Sequence, residues 1–380
     1  MKKTVWLLAG VALIVIVLVG IFILHEPADI VLTSYEYGED VKTPVDVVFY
    51  PFFLDGQALN ISGYSLKGKN LTEQSKNVDI GYSSVIEVDA IEPLLKHFDA
   101  VDLEALHDEL GQYFSYHNFF GMEVFVFCEW DTSPRVLNVI FLREGEIILL
   151  SDEIGESFLP IALIKDNSNV YILLRDNKQF VLKGIDTKTY DIKNYKFDLF
   201  SFSSKYFYYI DTFINDGKLY LFMNEYDQEN ATNENSGFIG GYMAIINLDT
   251  NDITEYKLSD TKLDFAARDE GAIIWGQYGK GLLSCELCDF NGVSQKKFEI
   301  LINENYYVTP NSAYYSDDLL LLNLTGYNAD NDQQGVFLVI DVEAEQIASR
   351  WSYKYAGGIY IRYYASGSNF QYEAQYSTAS

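Results

Sequence analysis

Three of the four histidines, His97, His107 and His117, fall close to Asp99, Asp102 and Asp108. These are metal-ligand types. Zinc needs three or four such groups converging, often two histidines at i and i+4 on one helix. A spacing of ten offers no such face, so these histidines read as solvated or half-packed. Cys285 and Cys288 in "CELC" have the spacing of half a zinc site, but there is no second pair to complete it. In a strand, residues three apart point to opposite faces, so the pair reads as small buried core residues. With Cys128 the chain has only three cysteines, too few for a disulfide framework. Asn328, Asp330 and Asp332 in "NADNDQQG" are spaced like the opening of a calcium loop. Gln333 takes the place of the turn glycine, and Val339 stands where the bidentate glutamate belongs. Calcium is thus the one metal the sequence offers, against the simpler reading of a polar loop. No other cofactor is expected.

Nucleophile chemistry is equally thin. A dipeptidyl-peptidase-like arrangement, a propeller followed by a hydrolase domain, needs a Gly-x-Ser-x-Gly elbow; "GYSLKG" (63–68) has the wrong spacing. "ARDEGAIIW" (267–275) falls short of the Ser-x-Asp-x-Gly-x-Thr-Trp box of sialidase-like propellers, with its tryptophan one place late. Gripping a carboxylate also takes several arginines, and only Arg135, Arg143, Arg175, Arg268, Arg350 and Arg362 are present. With 55 acidic residues no catalytic pair can be picked out. Sequons at Asn60, Asn70, Asn230 and Asn323 read as chance. No catalytic or cofactor-binding residue is assigned, and a binding role is favoured over an enzyme.

The elements around these residues are more informative. Residues 4–24 carry no charge and are nearly all apolar, and ~20 such residues span a bilayer as a helix. A cleaved signal peptide is the rival, but its apolar region is shorter and ends at small residues; here Glu26 and Pro27 follow. The reading is an uncleaved signal anchor. Lys2 and Lys3 precede it and no Lys or Arg follows before Lys42, which leaves residues 1–3 in the cytoplasm and 29–380 outside, at a bacterial cell surface. The net charge of −28 excludes nucleic acid as a partner, since phosphate contacts need clustered Lys and Arg.

Beyond the anchor one pattern returns: an apolar strand, a polar turn, and a strand of alternating polarity. It is clearest in "FVLKGIDTKTYDIKNYKF" (180–197), "YMAIINLDTNDITEYKL" (242–258), "LLSCELCDFNGVSQKKFEI" (282–300) and "VFLVIDVEAEQIASRW" (336–351), with weaker copies at 58–74 and 136–150. Asp and Asn suit the turns by bonding their own backbone, and Gly by supplying positive φ. A further apolar strand such as "KLYLFMNEY" lies upstream of each. The spacing, 40 to 77 residues, includes the ~40–45 of four-stranded propeller blades. Leu94, Leu95, Phe98, Leu103, Leu106 and Leu110 mark one or two helices inserted at 91–110, and the polar stretch 224–241 reads as a loop insert. Residues 29–380 therefore resemble a β-propeller of about six four-stranded blades, with no named family's blade signature. Two β-sandwich domains are the alternative. Strands at 45–53 and 357–376 lack partners of their own and are expected to complete one sheet together. The partner expected is a protein or glycan held at the loop face. A surface enzyme using carboxylates on glycans or peptides, or an accessory or sensor subunit of a membrane complex, are the alternatives.

Overall fold

The computed structural model describes residues 31–373 apart from 38–45, 54–58, 68–69, 81–84, 112, 120–121, 130–132, 167, 176–179, 198–204, 228–236, 270, 280, 303–306, 317, 328–332, 355–358 and 368–369. The expected anchor at 4–24, Asn230 and the calcium candidates Asn328, Asp330 and Asp332 lie outside the described residues. Among the described residues no helix is long and apolar enough to cross a membrane.

Among the described residues the chain is mostly strand, in six antiparallel sheets laid down one after another. Sheets 2 to 5 are four-stranded meanders. Sheet 2 runs Tyr113–Phe119, Met122–Cys128, Arg135–Arg143, Glu146–Ile154. Sheet 3 runs Leu159–Asp166, Asn169–Arg175, Phe180–Asp186, Ile192–Phe197. Sheet 4 runs Lys205–Asn215, Lys218–Asp227, Phe238–Asn247, Ile253–Ser259. Sheet 5 runs Phe265–Arg268, Ile273–Gly279, Leu282–Cys288, Ser294–Leu301. Sheet 6 is the meander Tyr307–Ser316, Leu319–Tyr327, Gln333–Asp341, Gln346–Lys354, with Val31–Tyr37 added at its outer edge. Sheet 1 joins the two ends of the chain. Asp46–Phe53 pairs with Leu59–Lys67 on one side and with Ile359–Gly367 on the other, from Asp46 opposite Ser366 to Phe53 opposite Ile359. The pairing expected of 45–53 and 357–376 is thus present. The first strands of sheets 2 to 6 contact each other in order, a propeller-like arrangement.

Both faces of an inner sheet are covered, so its second strand must be apolar throughout. In Lys218–Asp227, Leu219, Leu221 and Met223 pack towards sheet 3, while Tyr220 and Phe222 pack towards sheet 5. Each such fully buried side chain contributes about 1.5–3 kcal/mol. The fourth strands lie at the rim and alternate: in Ile192–Phe197 only Phe197 is buried. This separates the continuous runs in the sequence from the alternating ones. Cys285 packs between sheets 5 and 6, and Cys288 between sheets 4 and 5, on opposite faces of one strand. All three cysteines are free and buried.

The insert forms two helices, α1 (Val88–His97) and α2 (Leu103–Leu110). Asp102 caps α2 by accepting the Ala105 N–H at 2.9 Å. Gly111 ends it at φ +119°, where a Cβ would lie 2.4 Å from the Cys128 backbone, so only glycine fits. Ile91, Leu94, Leu106 and Leu110 bury against Phe125, Phe127, Ile140 and Leu142, on the face of sheet 2 turned away from sheet 3. The apolar stripe is consumed by packing inside the fold. The 224–241 stretch is narrower than the loop expected from its polarity. Strands continue to Asp227 and resume at Phe238, because Asn224 and Glu225 are buried in the sheet.

Candidate functional site

An antiparallel meander gathers its connections at two ends, and here the two ends differ. At one end, strands one to two and three to four are joined by stretches of two to five residues, such as 216–217 and 248–252. The longer of these turns share a device. Asp186 Oδ1 accepts the N–H groups of Lys188 and Thr189; Asn247 Oδ1 accepts those of Asp249 and Thr250; Asp289 Oδ1 accepts those of Asn291 and Val293. Sequence reasoning gave the positive-φ position to glycine. Gly292 does fill it at φ 76°, but Tyr190 (61°), Asn251 (61°) and Glu345 (56°) fill it in the other sheets. The Asx bonds hold the turn even where the left-handed residue carries a side chain. At the other end, the stretches between strand two and strand three of sheets 2 to 5 run from two residues at 280–281 to ten at 228–237, and seven residues, 198–204, separate sheet 3 from sheet 4.

The first strands line the inner side of the sheets and are edge strands. Those of sheets 3, 4 and 6 each carry a bulge, at Ile161, Ile210 and Asn311, five residues before the last paired residue. A bulge interrupts the ladder and re-aims the next side chain. It also accommodates proline at an edge, which explains Pro160 and Pro310 immediately before two of them. In sheet 4 the residue after the bulge is Asp211. Asp211 is half-buried, and loss of solvent around its carboxyl pushes it up to about 7, against the opposing pull of the Thr212 N–H (2.7 Å) and of Arg268. Arg268 stands with its guanidinium carbon 4.5 Å from the centre of the Phe213 ring. Thr212 Oγ1 donates to the Tyr220 carbonyl at 2.7 Å and fixes the strand beneath.

Further polar groups lie between the sheets. Asn224, fully buried, donates to the Leu263 carbonyl and accepts the Leu263 N–H, each at 2.8 Å, clamping sheet 4 to the strand entering sheet 5. On the other face of sheet 4, Glu225 bonds the Tyr242 hydroxyl, and burial with this contact pushes Tyr242 up to about 12; burial and Glu225 also raise the Glu255 carboxyl. Asp264 is raised by burial while accepting the Tyr278 N–H at 2.7 Å. Lys183, almost fully buried, joins Asp152 of sheet 2 and Asn194 of its own sheet.

The residues singled out by sequence stay apart. His97 is exposed and meets Phe98 edge-on; His107 is half-buried, meets Phe127 edge-on, and burial lowers its pKa. His117 lies in the strand Tyr113–Phe119. Among the described residues no three His, Cys, Asp or Glu side chains group as a metal site. Burial raises the Cys128 and Cys288 thiols to about 11 and Cys285 further, so none is a ready nucleophile. Asp269 of the near-miss box accepts the Gly271 and Ala272 N–H groups as an ordinary turn. The arginines serve neighbouring sheets: Arg135 donates to the Phe158 carbonyl at 2.9 Å and Arg175 to that of Phe207 at 3.2 Å. Asp211 escaped sequence reasoning, and Arg268 entered it only as one of the six arginines and within the near-miss box. The signal was an acid in the aromatic strand "YYIDTFIN" and an arginine ending "FAAR".

No family model and no curated protein matches the chain. Structural likenesses exist at low identity. A prolyl endopeptidase is 9% identical with a TM-score of 0.48, over 82% of this chain and 50% of that one, so the chain spans half its length. A chain of the nidogen/laminin complex is 10% identical with a TM-score of 0.40, over 84% and 98%. TolB from Acinetobacter baumannii is 10% identical with a TM-score of 0.39, over 83% and 65%. All of these scores fall below 0.5, and nothing of those proteins' activity is carried over.

Proposed function

We propose that the chain is a membrane-anchored, extracytoplasmic β-propeller of six blades that binds a protein or glycan partner at the end carrying the long connections. The observation that carries this reading is the asymmetry of the two ends. Short, self-capped turns close one; the strands that flank the polar sequences "QENATNENS" (228–236) and "NADND" (328–332) end at the other. Binding residues concentrate on loops held by a rigid scaffold. The uncharged run 4–24 supports the anchor, and the Lys2–Lys3 start supports its orientation. The helices contribute through their exposed polar sides, since their apolar stripe is buried.

The test is cross-linking of the full-length protein in its native membrane, followed by purification. A protein or glycan that co-purifies, and is lost when 228–236 is replaced by a Gly-Ser stretch of equal length, supports the reading. A partner retained by that variant and by an equivalent replacement of 198–204 would move the site elsewhere. A carboxylate-dependent surface enzyme is the second reading, favoured by Asp211 with its carboxyl raised to about 7. Turnover of a glycan or peptide, abolished in Asp211→Asn, would establish it instead.

A further inference from the structure

The short-turn end holds a feature that the long-connection reading does not use. Between the turns of sheets 4 and 5 lies a half-open cleft of about 260 Å³. Tyr256 and Phe290 supply its aromatic surface; Lys218, Asp252, Thr254 and Asn291 supply its polar groups. We propose that this cleft is a binding subsite for a single neutral saccharide unit.

The argument is one of chemistry and stiffness. The polar set mixes donors and acceptors: an ammonium, a carboxylate that already accepts the Thr250 hydroxyl at 2.7 Å, a hydroxyl and an amide. A pyranose presents hydroxyls that both donate and accept, with C–H faces that suit an aromatic surface. The other ligand classes fit less well. A phosphate or nucleotide would set its charge on Lys218 alone with Asp252 beside it. A metal would find one carboxylate where several oxygen ligands are needed. An apolar ligand would strip water from the polar rim without replacing its hydrogen bonds. The volume is just under the ~300–1,000 Å³ typical of sites for drug-sized molecules, which suits one ring.

The walls are held before any ligand arrives. Asn247 caps one turn and Asp289 the other through their Asx bonds. The Tyr220 hydroxyl donates to the Phe290 carbonyl at 3.1 Å, tying the second turn to sheet 4. Gly292 lies against Tyr256, with a Cβ there only 3.4 Å from the ring, so the sheet 5 turn seats directly on sheet 4. On the far side, Lys296 holds sheet 5 to sheet 6 by donating to the Val342 and Glu343 carbonyls at 2.9 Å and pairing with Glu345 at 3.1 Å. Among the described residues, Lys218 Nζ has no protein partner, while the Asn291 amide donates to the Asp289 carboxylate and keeps its second N–H and its oxygen for a ligand. Both are positioned, and a preorganised site loses little entropy on binding.

The experiment is saturation-transfer NMR on the full-length protein in detergent, with the methyl glycosides of glucose, galactose, mannose and N-acetylglucosamine as probes. The expected result is saturable binding of at least one probe, with a dissociation constant on the order of 1 mM. Lys218→Met should weaken it about tenfold, the loss of one hydrogen bond to a polar group, with unchanged melting temperature; Asn291→Ala should weaken it by a similar factor and lower the melting temperature slightly, since its bond to Asp289 is lost as well. Binding should survive 0.5 M salt and replacement of 228–236, which separates this site from the partner face proposed above. No saturable binding of any probe overturns the proposal. So does binding that both variants leave intact, binding abolished by salt, or binding lost only when 228–236 is replaced.

Discussion

Sheet 4 has two seams built from one strand, and they are made differently. Towards sheet 3 it offers Leu219, Leu221 and Met223 to aliphatic partners such as Leu173 and Leu182, with Glu225, Tyr242 and Glu255 on the same side. Towards sheet 5 it offers Tyr220 and Phe222, with Phe213 of its own first strand, to Trp275 and Leu263, and the seam is tied by the neutral Asn224 clamp. Phe213 stacks on Tyr220 with ring centres 4.9 Å apart. Parity alone separates the seams, so a one-residue slip would exchange them wholesale. Glu255, raised by burial and by Glu225, makes the first seam sensitive to pH; the second is tied by neutral bonds, except at its inner edge, where Asp211 feels the charge of Arg268.

The largest effect should come from the aromatic seam. Phe222→Ala leaves a cavity at a fully buried position and should destabilise by ~4 kcal/mol in denaturant titration. Leu221→Ala, its neighbour in the other seam, should cost ~3 kcal/mol. If the seams are independent, the double variant should lose the sum to within about 0.5 kcal/mol; strong non-additivity would mean that the strand responds as one unit.

Asp211 allows a test by pH. Its folded carboxyl is raised from 3.8 to about 7, so between those values the folded state binds more protons than the unfolded state. Stability therefore falls as pH rises through this window. Full ionisation costs up to about 4 kcal/mol. Asp211→Asn should raise the melting temperature at pH 8, leave it nearly unchanged at pH 4, and flatten the profile between. A variant no more stable than wild type at pH 8 would count against a buried, proton-holding carboxyl.

Asn224→Ala should cost about 2 kcal/mol by leaving the Leu263 N–H and carbonyl unpaired, with the same loss at pH 5 and pH 8 because no charge is involved. Smallest of all, Glu345→Gly relieves a left-handed backbone at φ 56° and should stabilise by under about 1 kcal/mol. The gain is partly offset by the Lys296 pair that is lost with it.

Much of the architecture could be read in the sequence, because a sheet covered on both faces writes a continuous apolar run and a rim strand writes alternation. That contrast located the meanders, the opposite facing of Cys285 and Cys288, and the pairing of 45–53 with 357–376. The helices showed through the spacing of Leu94, Leu106 and Leu110. Asn224 and Glu225 were misplaced because two polar residues ending an apolar run look like the start of a loop. Their burial depends on Leu263 and Tyr242, which lie distant in sequence. Asp211 was hidden for a related reason: the bulge at Ile210 breaks the period of two that would have shown which way it points. Desolvation, which gives Asp211 its character, belongs to the assembled sheets and to no local pattern.

The closure of sheet 1 has a consequence in time. Asp46–Phe53 is synthesised well before Ile359–Gly367. Their pairing spans roughly three hundred residues, the kind of non-local contact that slows folding. At ~5–20 residues per second, the early strand waits roughly 15–60 s for its mate. Throughout that interval one of its edges is an open template for other chains. Whatever handles the nascent chain must shield that edge until the later strand has been made.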